Sequence, residues 1–387
     1  MPVPLPLLAV GLFAAWVGHA YLWTSLLNYV YARPYPKSLL KLWRLITGFL
    51  ILIFWVPALA LLLKGSLPGE GLLAAALLVY GAVCLAVGLL LYPAINLYCL
   101  FRKSPPAVVV EKTHTLDLRK ELGDEVIGSG KGVRLARLPY NCIFQVDFTE
   151  LTLAVPNLPA AWDGLTILLL SDIHFHGTPS RAFYERVLSE IETRWPTPDL
   201  VCLAGDYVDT DEHHTWIGPL LGRLKAKDGK FAVLGNHDLD HHPDTIRADL
   251  AAAGYTVLGN GWVEATVRGE RCVLVGHEGP WFTPPADLSK APPELFRLCI
   301  SHTPDQFYWG QTHRVGLMLC GHVHGGQIRV PLISSIFVPS VYGRRFDMGV
   351  FEKNGTVMVV GRGLSGKEPL RFRCHPQILW LTLKPAR

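Results

Sequence analysis

Five short apolar runs in the second half of the chain each stop at a residue able to bind a cation or move a proton. Run 165–170 ends at Ser171-Asp172-Ile173-His174, and run 200–204 at Gly205-Asp206-Tyr207-Val208-Asp209. Run 231–234 ends at Gly235-Asn236-His237-Asp238, run 297–300 at Ser301-His302, and run 315–320 at Gly321-His322-Val323-His324. Continuous apolar runs this short read as strands buried on both faces. Segments 181–194, 216–225 and 243–253 read as helices between them. Alternating strands and helices predict an α/β domain, in which functional groups collect at the carboxyl ends of the strands.

The donors supplied this way are carboxylates, an amide oxygen and imidazoles, enough to hold two divalent metals around a shared carboxylate. Two such ions, about 3.5–4 Å apart, clamp a phosphoryl group and stabilise both its attacking and its leaving oxygens. Mixed oxygen and nitrogen ligation suits Mn, Fe, Zn or Co better than Ca. His277 also follows an apolar run and competes with His302 for one ligand position. His176, His213, His214, His241 and His242 crowd the same loops and read as solvated histidines.

The first hundred residues have a different character. Stretches 5–31, 45–63 and 71–101 are almost free of charge, and each reaches the roughly 20 residues needed to cross a bilayer. Trp16, Trp23, Tyr29, Tyr31, Trp43, Tyr92 and Tyr98 lie largely toward their ends, as interfacial aromatics do. Residues 1–103 are therefore expected to be a three-helix transmembrane region. Arg33, Lys37, Lys41 and Arg44 lie between the first two spans, Lys64 and Glu70 between the next two, and Arg102 and Lys103 after the third. The positive-inside bias puts the first loop and everything after residue 101 in the cytoplasm, with the amino terminus outside. A multi-pass protein of the inner (cytoplasmic) membrane is expected. Within span one, His19 and Asn28 read as helix–helix hydrogen-bonding groups.

Residues 104–144 read as a linker with some strand content, 142–156 as an edge strand or hairpin, and 145–387 as the catalytic domain. Segment 330–342 reads as strand and core, with a wall for an acyl chain as the alternative. A net charge of +4, without a lysine-rich tract, argues against a nucleic-acid partner. None of the eight cysteines forms a Cys-x-x-Cys pair, and buried free thiols are expected.

The five blocks, in this order, resemble the calcineurin-like metallophosphoesterase superfamily. Gly321-His322-Val323-His324-Gly325-Gly326-Gln327-Ile328-Arg329-Val330-Pro331, with Arg362-Gly363-Leu364 and Pro369-Leu370-Arg371-Phe372, narrows the likeness to its bacterial YkuE-like, transmembrane branch. The resemblance implies a two-sheet β-sandwich flanked by helices, here preceded by the three transmembrane helices. It implies one metal at Asp172, His174, Asp206 and His324, and another at Asp206, Asn236, His302 and His322, with Mn favoured. It favours His302 over His277. It makes His237 the group that stabilises or protonates the leaving oxygen, oriented by Asp209 or Asp238. Arg329, Arg362 and Arg371 are candidate substrate contacts. The implied activity is cleavage of a phosphodiester or pyrophosphate by metal-bound hydroxide, on a lipid-linked substrate such as UDP-2,3-diacylglucosamine or on soluble esters. A non-catalytic membrane scaffold is the remaining alternative.

Overall fold

The computed structural model describes residues 4–64, 71–331 and 333–386; Glu70, used above for orientation, lies outside them. The chain forms two compact units, residues 1–103 with 331–345, and residues 104–330 with 346–387.

The first unit is helical: α1 (Leu5–Tyr31), α2 (Lys37–Ile53), α3 (Trp55–Lys64), α4 (Leu72–Ala86) and α5 (Tyr92–Phe101). Together they make three helices long and apolar enough to cross a membrane, Leu5–Tyr31, Lys37–Leu63 and Leu72–Phe101. The second starts at Lys37 rather than at residue 45, because lysine and arginine continue a helix readily. Pro57 has no N–H for the Ile53 carbonyl and separates α2 from α3 at Phe54. A π-turn, Val87–Leu91, takes up the same defect ahead of Pro93. The first and third spans cross backbone to backbone, since a Cβ on Gly18 would stand 2.6 Å from the Gly88 nitrogen. Small residues at such a crossing let helices pack closely where no hydrophobic force drives them together.

Polar groups among these helices are matched. Trp23 Nε1 donates to the Tyr80 hydroxyl at 3.1 Å, the Tyr80 hydroxyl meets His19 Nδ1 at 2.7 Å, and His19 Nε2 donates to the Leu50 carbonyl at 2.8 Å. Asn28 works differently: it clamps segment 331–345, donating to the Ile336 carbonyl at 3.3 Å and accepting from Val338 N at 3.1 Å. Ile333, Ile336 and Phe337 remain exposed, so this stretch is no part of a sandwich core.

The second unit is a two-sheet sandwich. Its strands are β1 (Val108–Asp117), β2 (Gln145–Val155), β3 (Thr166–Leu170), β4 (Leu200–Leu203), β5 (Gly229–Ala232), β6 (Thr256–Val257), β7 (Trp262–Val267), β8 (Glu270–His277), β9 (Phe296–Ser301), β10 (Leu317–Cys320), β11 (Gly349–Lys353), β12 (Thr356–Val360) and β13 (Gln377–Pro385). One sheet has the order β1-β2-β13-β3-β4-β5-β6, the other β11-β12-β10-β9-β8-β7. The strand content within residues 104–144 is β1, which pairs with β2 from Val108 to Asp117. Alternation within β3 sorts the core. Ile167 and Leu169 face the second sheet with Leu200, Leu274, Leu298 and Leu319, while Leu168 and Leu170 face the helix layer with Phe183 and Val187. All eight cysteines are free, and Cys202, Cys299 and Cys320 are buried.

β3, β4 and β5 run parallel, as do β9 and β10, so their carboxyl ends gather along one edge. Asp199 locks the opposite end of that parallel set. It accepts from Thr166 N at 2.7 Å, Thr166 Oγ1 at 2.8 Å, Lys227 Nζ at 3.1 Å and Arg268 Nη2 at 2.8 Å. Burial works to raise its pKa, but the Thr166 hydrogen bonds, with Lys227 and Arg268, outweigh it and hold the carboxyl below its usual 3.8. A carboxyl depressed on folding stabilises fully above its unfolded pKa and loses that contribution as pH falls through the folded one. Asp199→Asn should therefore lower stability at pH 7 by about 1–3 kcal/mol, read from urea unfolding of the detergent-solubilised chain. The gap to the parent should close as pH falls below 3.8.

Candidate metal centre

Three of the strand ends, those of β3, β4 and β10, deliver their side chains through a sharp reversal. Asp172, His174, Asp206, His322 and His324 all have positive φ, between 50° and 72°, which side chains other than glycine rarely adopt. Such strain persists only where surrounding structure fixes it, and it concentrates at functional sites. Two glycines make room: a Cβ on Gly205 would lie 2.7 Å from His302 Nδ1, and one on Gly235 2.5 Å from His302 Cε1.

The donor atoms converge in two overlapping sets. Those of Asp172, His174, Asp206 and His324 lie within 4.8 Å of one another, as do those of Asp206, His302 and His322. In the first set His174 Nε2 is 3.3 Å from His324 Nε2 and 3.6 Å from Asp206 Oδ2, and His324 Nε2 is 3.6 Å from Asp172 Oδ1. In the second, His302 Nε2 is 3.5 Å from Asp206 Oδ2, 3.0 Å from Asn236 Oδ1 and 3.1 Å from His322 Nδ1. Nitrogen and oxygen donors bound to one zinc-sized ion at about 2.0–2.2 Å stand about 3–3.5 Å apart. Asp206 belongs to both sets.

Hydrogen bonds at the far side of each ring choose the nitrogen left for a cation. His174 Nδ1 donates to Asp209 Oδ2 at 2.9 Å, His302 Nδ1 to the Ala204 carbonyl at 2.7 Å, and His324 Nδ1 to the Ser365 carbonyl at 3.1 Å. Each leaves its Nε2 lone pair toward the centre. Two such lone pairs 3.3 Å apart, on His174 and His324, repel unless positive charge lies between them. The electrostatics agree. Burial works to lower the His174 pKa, yet Asp209, Asp206 and Asp172 push it up to about 9. Burial works to raise Asp206, and the imidazoles of His302, His237, His174 and His322 hold it down to about 2. The donor set, its spacing and its demand for positive charge all fit divalent metal ions.

His237 Nδ1 is 2.5 Å from Asp209 Oδ1, so Asp209 spans His237 and His174. Burial opposes its charge, but these two imidazoles hold the carboxyl well below the usual range. Asp238, the alternative partner for His237, is used elsewhere and accepts from Gly235 N, Asp206 N and Tyr207 N at 2.8–2.9 Å. His277 lies outside both donor sets, with its ring 4.6 Å from that of Trp309 and its Nδ1 accepting from Gly279 N.

The three arginines expected at the substrate have partners inside the protein. Arg329 pairs with Asp347 at 2.7 Å and Arg362 with Asp147 at 2.7 Å. Arg371 is fully buried and donates to the Ser365 and Arg362 carbonyls at 2.6 and 2.7 Å. It thereby holds the loop whose Ser365 carbonyl orients His324. His176 is buried rather than solvated and donates to the Gly366 carbonyl at 3.2 Å. Trp281, which no sequence pattern marked, sets its ring 4.6 Å from His322 and 5.5 Å from His302.

Residues 165–326 match the family described as calcineurin-like phosphoesterase. The chain is 32% identical to the metallophosphoesterase YkuE of Bacillus subtilis over 62% of its own length and 86% of that protein. It is 33% identical to the phosphodiesterase YaeI of Escherichia coli over 56% of its length and 81% of that protein. It is 26% identical to the UDP-2,3-diacylglucosamine pyrophosphatase LpxG of Chlamydia trachomatis over 59% of its length and 87% of that protein. The chain belongs to the calcineurin-like metallophosphoesterase family and is a hydrolase acting on phosphate esters.

Proposed function

We propose that this chain is a membrane-anchored phosphohydrolase that uses two divalent ions, Mn favoured, to cleave a phosphodiester or pyrophosphate in a lipid-linked substrate of the UDP-2,3-diacylglucosamine type. The observation that carries the reading is the union, in one chain, of a convergent metal-type donor set with three apolar helices of bilayer length. Tethering raises the effective concentration of any target confined to the same surface. The relative LpxG, named for a pyrophosphatase of that lipid, supports the substrate class. The basic residues Arg33, Lys37, Lys41, Arg44, Arg102 and Lys103 support a cytoplasmic site at the inner membrane.

In this reading Asp172, His174, Asp206 and His324 hold one ion, and Asp206, Asn236, His302 and His322 the other. When bound, the pair acidifies water and neutralises the phosphoryl oxygens. His237 supplies the proton to the leaving oxygen from Nε2, while its Nδ1 bond to Asp209 fixes the tautomer and supports the imidazolium. A second reading, a phosphodiesterase of soluble esters, is favoured by the likeness to YaeI.

Two predictions separate these roles. Metal analysis of Mn-loaded protein should find two ions per chain, fewer in His302→Ala, and an unchanged content in His277→Ala. His237→Ala should keep its metal but lose about 10²–10⁴-fold in kcat, with the deficit larger for alkyl esters than for p-nitrophenyl esters, whose leaving group needs no proton. For the substrate, purified protein with Mn should release UMP from UDP-2,3-diacylglucosamine, and Asp206→Ala should abolish the release. Hydrolysis of bis-p-nitrophenyl phosphate without any UMP release would remove the lipid reading and leave the soluble-ester one.

A further inference from the structure

The helical unit contains a cavity of about 690 Å³ between α1, α5 and segment 331–345. Its walls are of two kinds. Trp16, Ala20, Tyr21, Ile95 and Ile336 make an apolar trough, and Ser335, Arg344 and Arg345 line the cavity as well. On α1 the lining runs from Trp16 to Asn28, which at 1.5 Å per residue is about 18 Å. That is close to one leaflet of a hydrocarbon core about 30 Å thick.

Two polar side chains in this lining are buried with hydrogen-bonding capacity unused. Arg344 is 8% exposed; among the described residues its side chain has one partner, Asn96, whose Oδ1 accepts from Nη1 at 2.6 Å, and its Nε has none. Among the described residues no carboxylate pairs with it, and an uncompensated buried charge is costly. Ser335, 1% exposed, has a hydroxyl without a partner among the described residues. A guanidinium and a hydroxyl beside a leaflet-deep apolar trough complement an anionic headgroup with an acyl tail. Arginine binds phosphate through several fixed donors at once.

We propose that this cavity is a binding site for a lipid with an anionic phosphate headgroup, with the phosphate on Arg344 and Ser335 and one acyl chain along α1 and α5. Its lining residues belong to the helical unit and include none of the metal-type donors, and the proposal does not depend on which ester the metal centre cleaves.

The full chain, reconstituted in phosphatidylcholine nanodiscs, is labelled with a diazirine-bearing phosphatidic acid or with the matching diacylglycerol, and the crosslinked peptides are mapped by mass spectrometry. Phosphatidic acid should label α1, α5 and segment 331–345 at least tenfold more than diacylglycerol does. Arg344→Gln should remove most of that preference, and Ala20→Trp, which fills the trough, should suppress labelling by both. Excess inorganic phosphate should not compete. Hydrolysis of bis-p-nitrophenyl phosphate should persist in both variants, which shows that they are folded. Equal labelling by the two probes, unchanged labelling of Arg344→Gln, or full competition by inorganic phosphate would overturn the proposal.

Discussion

The Asp238 carboxylate accepts three backbone N–H groups, and the loops after β4 and β5 depend on it. Gly235 N lies in its own loop, while Asp206 N and Tyr207 N lie in the other. The tie is reciprocal, because His237 N donates back to Asp206 Oδ1 at 2.8 Å. Burial and the neighbouring Asp206 charge push the Asp238 carboxyl up to about 7, and the three amides oppose them. A residue with no place among the metal-type donors therefore fixes the φ of the carboxylate shared by both donor sets. Buried polar networks of this kind specify one geometry because every partial alternative leaves a group unsatisfied.

The strands beneath make that geometry affordable in the physical sense. Residues at positive φ cost of order 1–3 kcal/mol each, and five fall at the centre. They are tolerated because β3, β4 and β10 are buried on both faces and anchored by ladders that end just before the reversals. The register of β3 is pinned at its other end, where Thr166 N and Oγ1 both donate to Asp199.

Much of this was legible from local pattern. Leu165 to Leu170 reads as a buried strand because all its residues but Thr166 are aliphatic, and Asp172 follows one residue beyond it, so strand and donor come as one signal. The helices of the first hundred residues are equally plain, since charge is absent over bilayer length. What the pattern hides depends on distant parts of the chain. Arg371 reads as a spare cation beside a phosphate site, yet its donors go to the Arg362 and Ser365 carbonyls. The family resemblance offered Asp209 or Asp238 to His237, but nothing local showed that Asp209 also accepts from His174 Nδ1. β1 is poor in continuous apolar residues because it is an edge strand, and a half-solvated edge imitates a linker. Trp281 sits in an irregular loop after β8, and no periodicity could aim its ring at His322.

Two of the three buried arginines among the described residues, Arg371 and Arg344, differ in a way that charge counting cannot detect. Around Arg371, the carbonyls of Arg362 and Ser365, with those of Gly363 and His324 at 3.4 Å, surround the guanidinium with negative dipole ends. Its charge is spent on holding the loop that orients His324. Arg344 has one amide oxygen. Among the apolar helices, His19 and Tyr80 show how the same unit treats polar groups that serve only packing: each is closed into a chain ending on a backbone carbonyl. Arg344 and Ser335 are not closed in this way. Unused donors in a low-dielectric wall are tolerated when something else completes them, and the wall they share is apolar along the depth of a leaflet.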